Sequence, residues 1–330
     1  MSDVNAVPEI DELIAQSLRI GADPRLVQGA GGNLSLKHDG VMWIKASGTR
    51  LGEAADRPIF VPMGIETTRA AVLETEDLVP YVLTELAAPG LRPSIETALH
   101  VLLPHRVVFH AHATGAIAAG LTAQSAARIR DLPGADVAVV PYAKPGIELA
   151  RAVFAELGDD VDPERPLVLL LRNHGVVVGA ADGEAAGALL DSVERFLRTE
   201  TAPEAAATAP APGAPVPAGD PVLLHPAGTV GPRAAEVLTG GAFTPDAAVF
   251  LGPQPFGREG AWDESPCVVG ADGSVRARGG LGADEVEIAI SLVDVARQVG
   301  GDEPTSSLTE RDVHALLNWE AEKWRQNLKR

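Results

Sequence analysis

Two hydrophobic periods alternate along the chain, one near the helical repeat and one near the two-residue repeat of a strand, so helices and strands are interspersed. "PEIDELIAQSLRIG" sets Ile10, Leu13, Ile14 and Leu18 on one stripe and predicts an opening helix. "NLSLKHDGVMWIKASG" alternates on both sides of Asp39-Gly40, a pair favoured in tight hairpin turns, and predicts a β-hairpin. The pattern continues with a helix at "SIETALHVLL", a strand at "RVVFHAH", a helix of small residues around "GAIAAGLTAQS" and a strand at "DVAVVPY". A helix at "GIELARAVFAEL" comes next, and "PLVLLLRNHGVVVG" reads as one very apolar strand. From near Glu184 a further helix places Leu189, Val193, Phe196 and Leu197 on one side. This is an α/β pattern with helices packed on a sheet, and the Asp-Gly turn makes at least part of that sheet antiparallel.

The periodicity stops at "TAPEAAATAPAPGAPVPAG", where Ala and Pro predict an extended, semi-rigid linker. The expected organisation is therefore a domain over residues 1–200, a linker over 201–219 and a smaller α+β part over 220–330. In the last part the pattern predicts a strand at "AAVFLG", a hairpin at "PCVVGADGSVRAR" and a helix at "DEVEIAISLVDVARQV". A final helix is expected from Ser307, with Ser307 and Glu310 as a capping box and Val313, Leu316, Leu317 and Trp324 turned inward. The only histidines here, His225 and His314, lie on separate segments and read as structural.

Composition narrows the class. The chain has 330 residues, 46% of them hydrophobic and 4% aromatic, which means a globular core of small aliphatic side chains. A formal charge of −18 opposes a nucleic-acid surface. The single cysteine, Cys267, excludes an internal disulfide framework and cysteine-rich metal sites. The first residues show no signal-peptide pattern, and no apolar run has membrane-spanning length, so a cytoplasmic protein without membrane or nucleic-acid partners is expected.

The candidate chemistry begins with "HAH". On a strand, residues i and i+2 share a face, so His110 and His112 stand together opposite Ala111. A neutral imidazole is a good ligand for zinc and similar ions, although a lone His-x-His is also an ordinary pair of histidines. His174 interrupts an apolar run and reads either as a strand-end histidine or as a third ligand. Three protein ligands and a vacant position are the pattern of catalytic zinc. Glu96 is either a helix-start carboxylate beyond a capping Ser94 or a general base beside a metal-polarised carbonyl. His100, one turn on, either touches the site or only packs. "QGAGGNLSL" misses the dinucleotide fingerprint at Leu34 and precedes a strand, which rejects a Rossmann reading. Its glycines and the "KASGT" segment (Lys45, Ser47, Gly48, Thr49) can instead cradle an anion, and each alone is also an ordinary turn.

Taken in order, "GAGGNLS", "KASG", "PSIETALH", "HAH" and "NHG" resemble the class II aldolase/adducin family, which includes fuculose- and rhamnulose-phosphate aldolases and a ribulose-phosphate epimerase. The resemblance spans roughly Ile10 to Arg198. It implies a three-layer α/β/α sandwich around a largely antiparallel sheet, assembled as a homotetramer. It also implies zinc on His110, His112 and His174, with manganese or another divalent ion as alternatives. Glu96 becomes the acid/base residue, and Gly32, Asn33, Ser47, Gly48 and Ser94 hold the substrate phosphate. The implied function is a lyase that cleaves a ketose phosphate or related sugar derivative by a retro-aldol reaction through a metal-stabilised enediolate. Epimerase, dehydratase and decarboxylase members of the family are the alternatives, as is a non-catalytic adducin-like interaction module. Glutamate at position 96, where the epimerase has aspartate, favours the aldolases, and the three histidines, which the adducin head lacks, favour an enzyme.

The chain departs from the family at Ile95, which replaces one of two serines that often precede the glutamate. Tyr142, in "VPYAKPG", sits in a segment the family shares and reads either as a site residue or as a structural one. "TPDAAVFLGP" and "HALLNWEAEKWRQNL" are similar to the segment after the aldolase domain in bifunctional rhamnulose-phosphate aldolase/dehydrogenases, here without a dehydrogenase domain. The C-terminal part is expected to dock on the aldolase-like domain and shape substrate choice or assembly without supplying metal ligands.

Overall fold

A computed structural model describes residues 8–158, 160–199 and 215–319; most of the Ala/Pro-rich stretch and Trp324 lie outside the described residues. The chain opens with helix α1 (Pro8–Gly21), the hairpin β1 (Asn33–His38) and β2 (Val41–Lys45), then β3 (Phe60–Gly64) and α2 (Ile65–Ala71). Next come α3 (Thr97–Leu102), β4 (Val107–Ala111), α4 (Thr114–Gly120), α5 (Ala123–Ala127), β5 (Asp136–Val140) and α6 (Ile147–Leu157). Strands β6 (Leu167–Leu171) and β7 (Gly175–Ala180) and helix α7 (Gly183–Leu197) follow. Past the linker lie β8 (Val222–His225), α8 (Pro232–Thr239), α9 (Pro245–Leu251) and β9 (Phe256–Arg258). The last elements are β10 (Cys267–Val269), β11 (Val275–Ala277), α10 (Ala283–Gln298) and α11 (Glu310–Leu317).

The seven strands of the main sheet run β3-β2-β1-β4-β7-β6-β5, and every neighbouring pair is antiparallel except β5 with β6. Residue alternation sorts the two faces. Val107, Phe109 and Ala111 of β4 pack with α1, α4 and α7, while Val108 packs with α3 and α6. Helices therefore cover both faces, which makes the predicted α/β/α sandwich around a largely antiparallel sheet. The Asp39-Gly40 turn is as expected, with both residues at positive φ (46° and 78°) as a type I′ turn requires.

The small-residue segment answers to a geometric demand. Every residue of α4 is buried, because the helix is packed from two sides. Ala116 and Ala119 face the main sheet, whereas Ile117, Ala118 and Leu121 belong to the core of the C-terminal part. That part is a four-stranded sheet, β8-β11-β10-β9, with α8 to α11 around it. Its docking is also polar. Arg198 donates to Asp294 at 2.9 Å, Arg50 pairs with Glu287 at 3.0 Å and with Asp284, and Trp319 Nε1 donates to Glu76 at 2.9 Å. Val216 is buried in the C-terminal core, and its N–H donates to the Leu281 carbonyl at 2.9 Å.

Four readings are corrected. "PLVLLLRNHGVVVG" is two antiparallel strands, because Leu171 pairs with Gly175 and Arg172, Asn173 and His174 form the loop. Asn173 sits at φ 57°, a left-handed conformation that asparagine tolerates, and this turns the chain. "AAVFLG" is helix α9, since Thr244 caps Ala247 N–H and Pro245 occupies the first turn. The last helix starts at Glu310, capped reciprocally by Thr309 and Asp312 rather than by Ser307 and Glu310, and Leu317 is 39% exposed. The helix at "SIETALHVLL" begins at Thr97 with Glu96 at its N-cap; Ser94 Oγ accepts from Glu96 N–H just upstream.

At Gly175 a Cβ would lie 2.3 Å from the carbonyl oxygen of Ala111, on the neighbouring strand beside His112. Gly175→Ala is expected to lower stability by about 1–3 kcal/mol through forced displacement of β7 from β4, measured by chemical denaturation. Wild-type stability in this variant would contradict the close approach.

Candidate functional site

The site lies where the end of β4, the start of β1 and the β6–β7 loop meet at one end of the sheet's central strands. His110 is in register with Asn33 of β1 and Val177 of β7, on the face that carries α3. Its Nδ1 lies 3.0 Å from the Val176 carbonyl oxygen, and a carbonyl only accepts, so Nδ1 carries the proton. His112 follows the strand, with Nδ1 3.0 Å from Asp246 Oδ2, which places a proton on that nitrogen too. The two Nε2 atoms, 3.1 Å apart, therefore face each other as lone pairs. His174 completes the group from the β6–β7 loop, and the three candidate ligand nitrogens lie within 4.8 Å of one another, all on buried residues. Two lone pairs held this close repel unless a cation lies between them, so the donor set fits a divalent ion.

Glu96 faces the same point. Its Oε2 is 3.3 Å from His110 Nε2 and its Oε1 is 3.6 Å from His174 Nε2. Asn33 Nδ2 donates to Oε2 at 2.7 Å, so the first residue of β1 aims the carboxylate. Burial opposes the charge on Glu96, but attraction to His110, His174 and His112 and the Asn33 bond outweigh it and hold the carboxyl at about 2. Burial pushes the His174 imidazole down to about 3 and also lowers His110, so both are neutral donors near neutral pH. His110 and His174 thus offer uncharged nitrogens beside one negative oxygen.

Around it is a cleft lined by Gly32, Asn33, Ser47, Gly48, Ser94, Glu96, His112 and His174; His110 sits behind, against Glu96 and His112. The structure thus brings together all nine residues singled out from the sequence. Ser47 and Ser94 become neighbours because Ala46 bridges to Pro93 at the end of β2. Gly31 lets the glycine turn approach the histidines, since a Cβ there would be 2.8 Å from His112 Nδ1. Buried Lys45 also lines the cleft, and its Nζ donates to the Ala30 carbonyl at 3.0 Å. Tyr142 is not among the lining residues.

Sequence reasoning missed Asp246. It comes from the part of the chain expected to supply no metal ligands, and with Pro245 it lines the cleft. The available signal was Thr244-Pro245-Asp246, a cap, a first-turn proline and an acidic residue that begin a helix rather than a strand. His100 is behind the site, fully buried, with Nδ1 2.7 Å from Ser35 Oγ.

The chain belongs to the family described as class II aldolase and adducin N-terminal domain, whose sequence model matches residues 12–201. It is 27% identical over 189 residues to a Bacillus subtilis (strain 168) protein named uncharacterized oxidoreductase YuxG, a match covering 53% of this chain. The chain spans about a quarter of that relative, 27% of its length, and the name describes the whole of it. Among solved structures, the N-terminal class II aldolase domain of a conserved Thermoplasma acidophilum protein is similar at 28% identity and TM-score 0.48, covering 58% of this chain and 94% of its own. A sugar-phosphate aldolase from Thermotoga maritima is similar at 16% identity and TM-score 0.43, covering 57% and 93%. Among the described residues, no helix is long and apolar enough to cross a membrane.

Burial, with a contribution from Lys37, holds His100 down at about 3, against 6.5 for the free side chain. Between these values the unfolded chain binds the proton and the folded chain does not, so stability is lost as pH falls from 6.5 towards 3. Replacing His100 with Gln is expected to reduce that slope by about one proton, roughly 1.4 kcal/mol per pH unit, in denaturation series across the range. An unchanged slope would contradict a neutral, buried His100.

Proposed function

We propose that this chain is a divalent-metal-dependent lyase, with zinc as the first candidate, that cleaves a ketose phosphate or a related sugar derivative by retro-aldol chemistry. The observation that carries the reading is the pair of facing Nε2 lone pairs on His110 and His112, beside the buried carboxylate of Glu96. His110, His112 and His174 would hold the ion. When bound, it supplies Lewis acidity to the carbonyl and adjacent hydroxyl oxygens of the substrate.

The protein's own groups divide the remaining work. Glu96, ionised and aimed by Asn33, exchanges a proton with the substrate carbon that becomes an enediolate centre. In the cleavage direction, ionised Glu96 takes up the proton of the hydroxyl whose oxygen becomes the aldehyde carbonyl; the electron pair of the broken carbon–carbon bond is left on the enediolate carbon, which then takes that proton from Glu96. In condensation the ionised carboxylate removes it. Gly32, Asn33, Ser47, Gly48 and Ser94 are assigned to the phosphate, because hydroxyls and turn backbone N–H groups suit an anion. Glutamate rather than a shorter aspartate at this position supports the aldolase branch over the epimerase. Residues 1–200 form the catalytic domain in this reading and residues 220–330 an accessory one.

Purified protein should hold about one divalent ion per chain, and His112→Ala should lose it while remaining folded, as read by elemental analysis. Retention of the ion by that variant would remove His112 from the ligand set. In a screen of phosphorylated and free ketoses with zinc and manganese, Glu96→Gln should keep the metal yet turn over roughly 10²–10⁴-fold more slowly. Near-normal turnover would leave Glu96 as only a helix-start residue.

A further inference from the structure

Among the described residues, Asp246 is the carboxylate of the C-terminal part that lies against the histidine cluster. It stands in the first turn of α9, behind the Thr244 cap, and is 9% exposed. Its Oδ2 is 3.0 Å from Nδ1 of His112, the ring nitrogen that faces away from His110. An imidazole has two tautomers, and which nitrogen is free to bind an ion depends on what holds the other. For His110 the backbone carbonyl of Val176 settles this within the main sheet. For His112 the corresponding acceptor comes from another part of the chain.

The approach of α9 is tied to the third histidine as well. Asn173, the residue before His174, donates its side-chain amide to the carbonyls of Phe243 at 3.0 Å and Ser306 at 2.8 Å. Phe243 directly precedes the Thr244 cap, so one asparagine anchors both the His174 loop and the segment that presents Asp246. The neighbouring Leu121 carbonyl accepts from Ser306 N–H at 2.8 Å and closes the same seam.

We infer that Asp246 is a positioning residue: it holds His112 in the tautomer with a free Nε2, so that tight metal binding requires the C-terminal part to be docked. The inference rests on the metal-binding reading above. It refines the expectation that the C-terminal part docks on the aldolase-like domain without supplying metal ligands: that part contributes no nitrogen of the cluster, but it sets the orientation of one.

The test uses the full-length protein. Zinc affinity is measured by competition with a chromogenic chelator at fixed pH, for wild type, Asp246→Ala, Asp246→Asn and His174→Ala. Loss of such a second carboxylate partner typically weakens metal binding 10–100-fold, and Asp246→Ala should fall in that range. Asp246→Asn keeps an acceptor and the shape but loses the charge, so it should bind zinc more weakly than wild type and more tightly than the alanine variant. Long-range nitrogen NMR of the zinc-free protein should show a protonated Nδ1 on His112 in wild type and a mixture of tautomers in Asp246→Ala. If the alanine variant does not fold, the asparagine variant decides by the same affinity measurement. Zinc binding by wild type and its loss in His174→Ala, with wild-type affinity in the Asp246 variants, would overturn this inference while leaving the metal site intact. No zinc binding by wild type would overturn both.

Discussion

Two imidazole nitrogens that both present lone pairs cannot be left facing each other at 3.1 Å without a positive charge between them. Much of the site serves to keep them there. The carbonyl of Val176 and the carboxylate of Asp246 hold the protons on the outer nitrogens. Asn33 keeps the Glu96 carboxylate beside the same point, although burial disfavours a charge there. The arrangement holds unfavourable electrostatics that a cation would relieve.

The fold supplies this geometry through one end of an antiparallel sheet. Antiparallel neighbours place the start of β1, the end of β4 and the start of β7 side by side, so Asn33, His112 and His174 meet although they are distant in sequence. Two glycines permit the approach: Gly31 against the His112 ring and Gly175 against the Ala111 backbone. Helix α4 then passes the load to the C-terminal part, since its small residues let both cores pack on one short helix. Docked in this way, α9 closes the rim of the cleft with Pro245 and Asp246.

Much of this was legible in the chain itself. The stripe of α1, the Asp39-Gly40 hairpin and the alternation around His110 follow from side-chain periodicity, and the structure keeps them. The nine candidate site residues were recognisable by type and order. Less legible was any feature set by a single turn or cap. The Arg172-Asn173-His174 loop hid inside a continuous apolar run, because both strands flanking it are buried on both faces and show no alternation. The α9 segment reads as a strand by its apolar content, and only the Thr-Pro-Asp start betrays a helix. Asp246 was hidden for a different reason. Its role depends on a contact between parts of the chain separated by 134 positions, from His112 to Asp246, and no local pattern encodes it.

In the reading proposed, the three histidines converge on one ion through their inner nitrogens. X-ray absorption at the zinc edge of metal-loaded wild-type protein tests this most directly. Three imidazole nitrogens are expected in the inner shell at about 2.0–2.1 Å, with the remaining scatterers oxygen. An ion bound with fewer than three imidazoles, or with an all-oxygen shell, would contradict it.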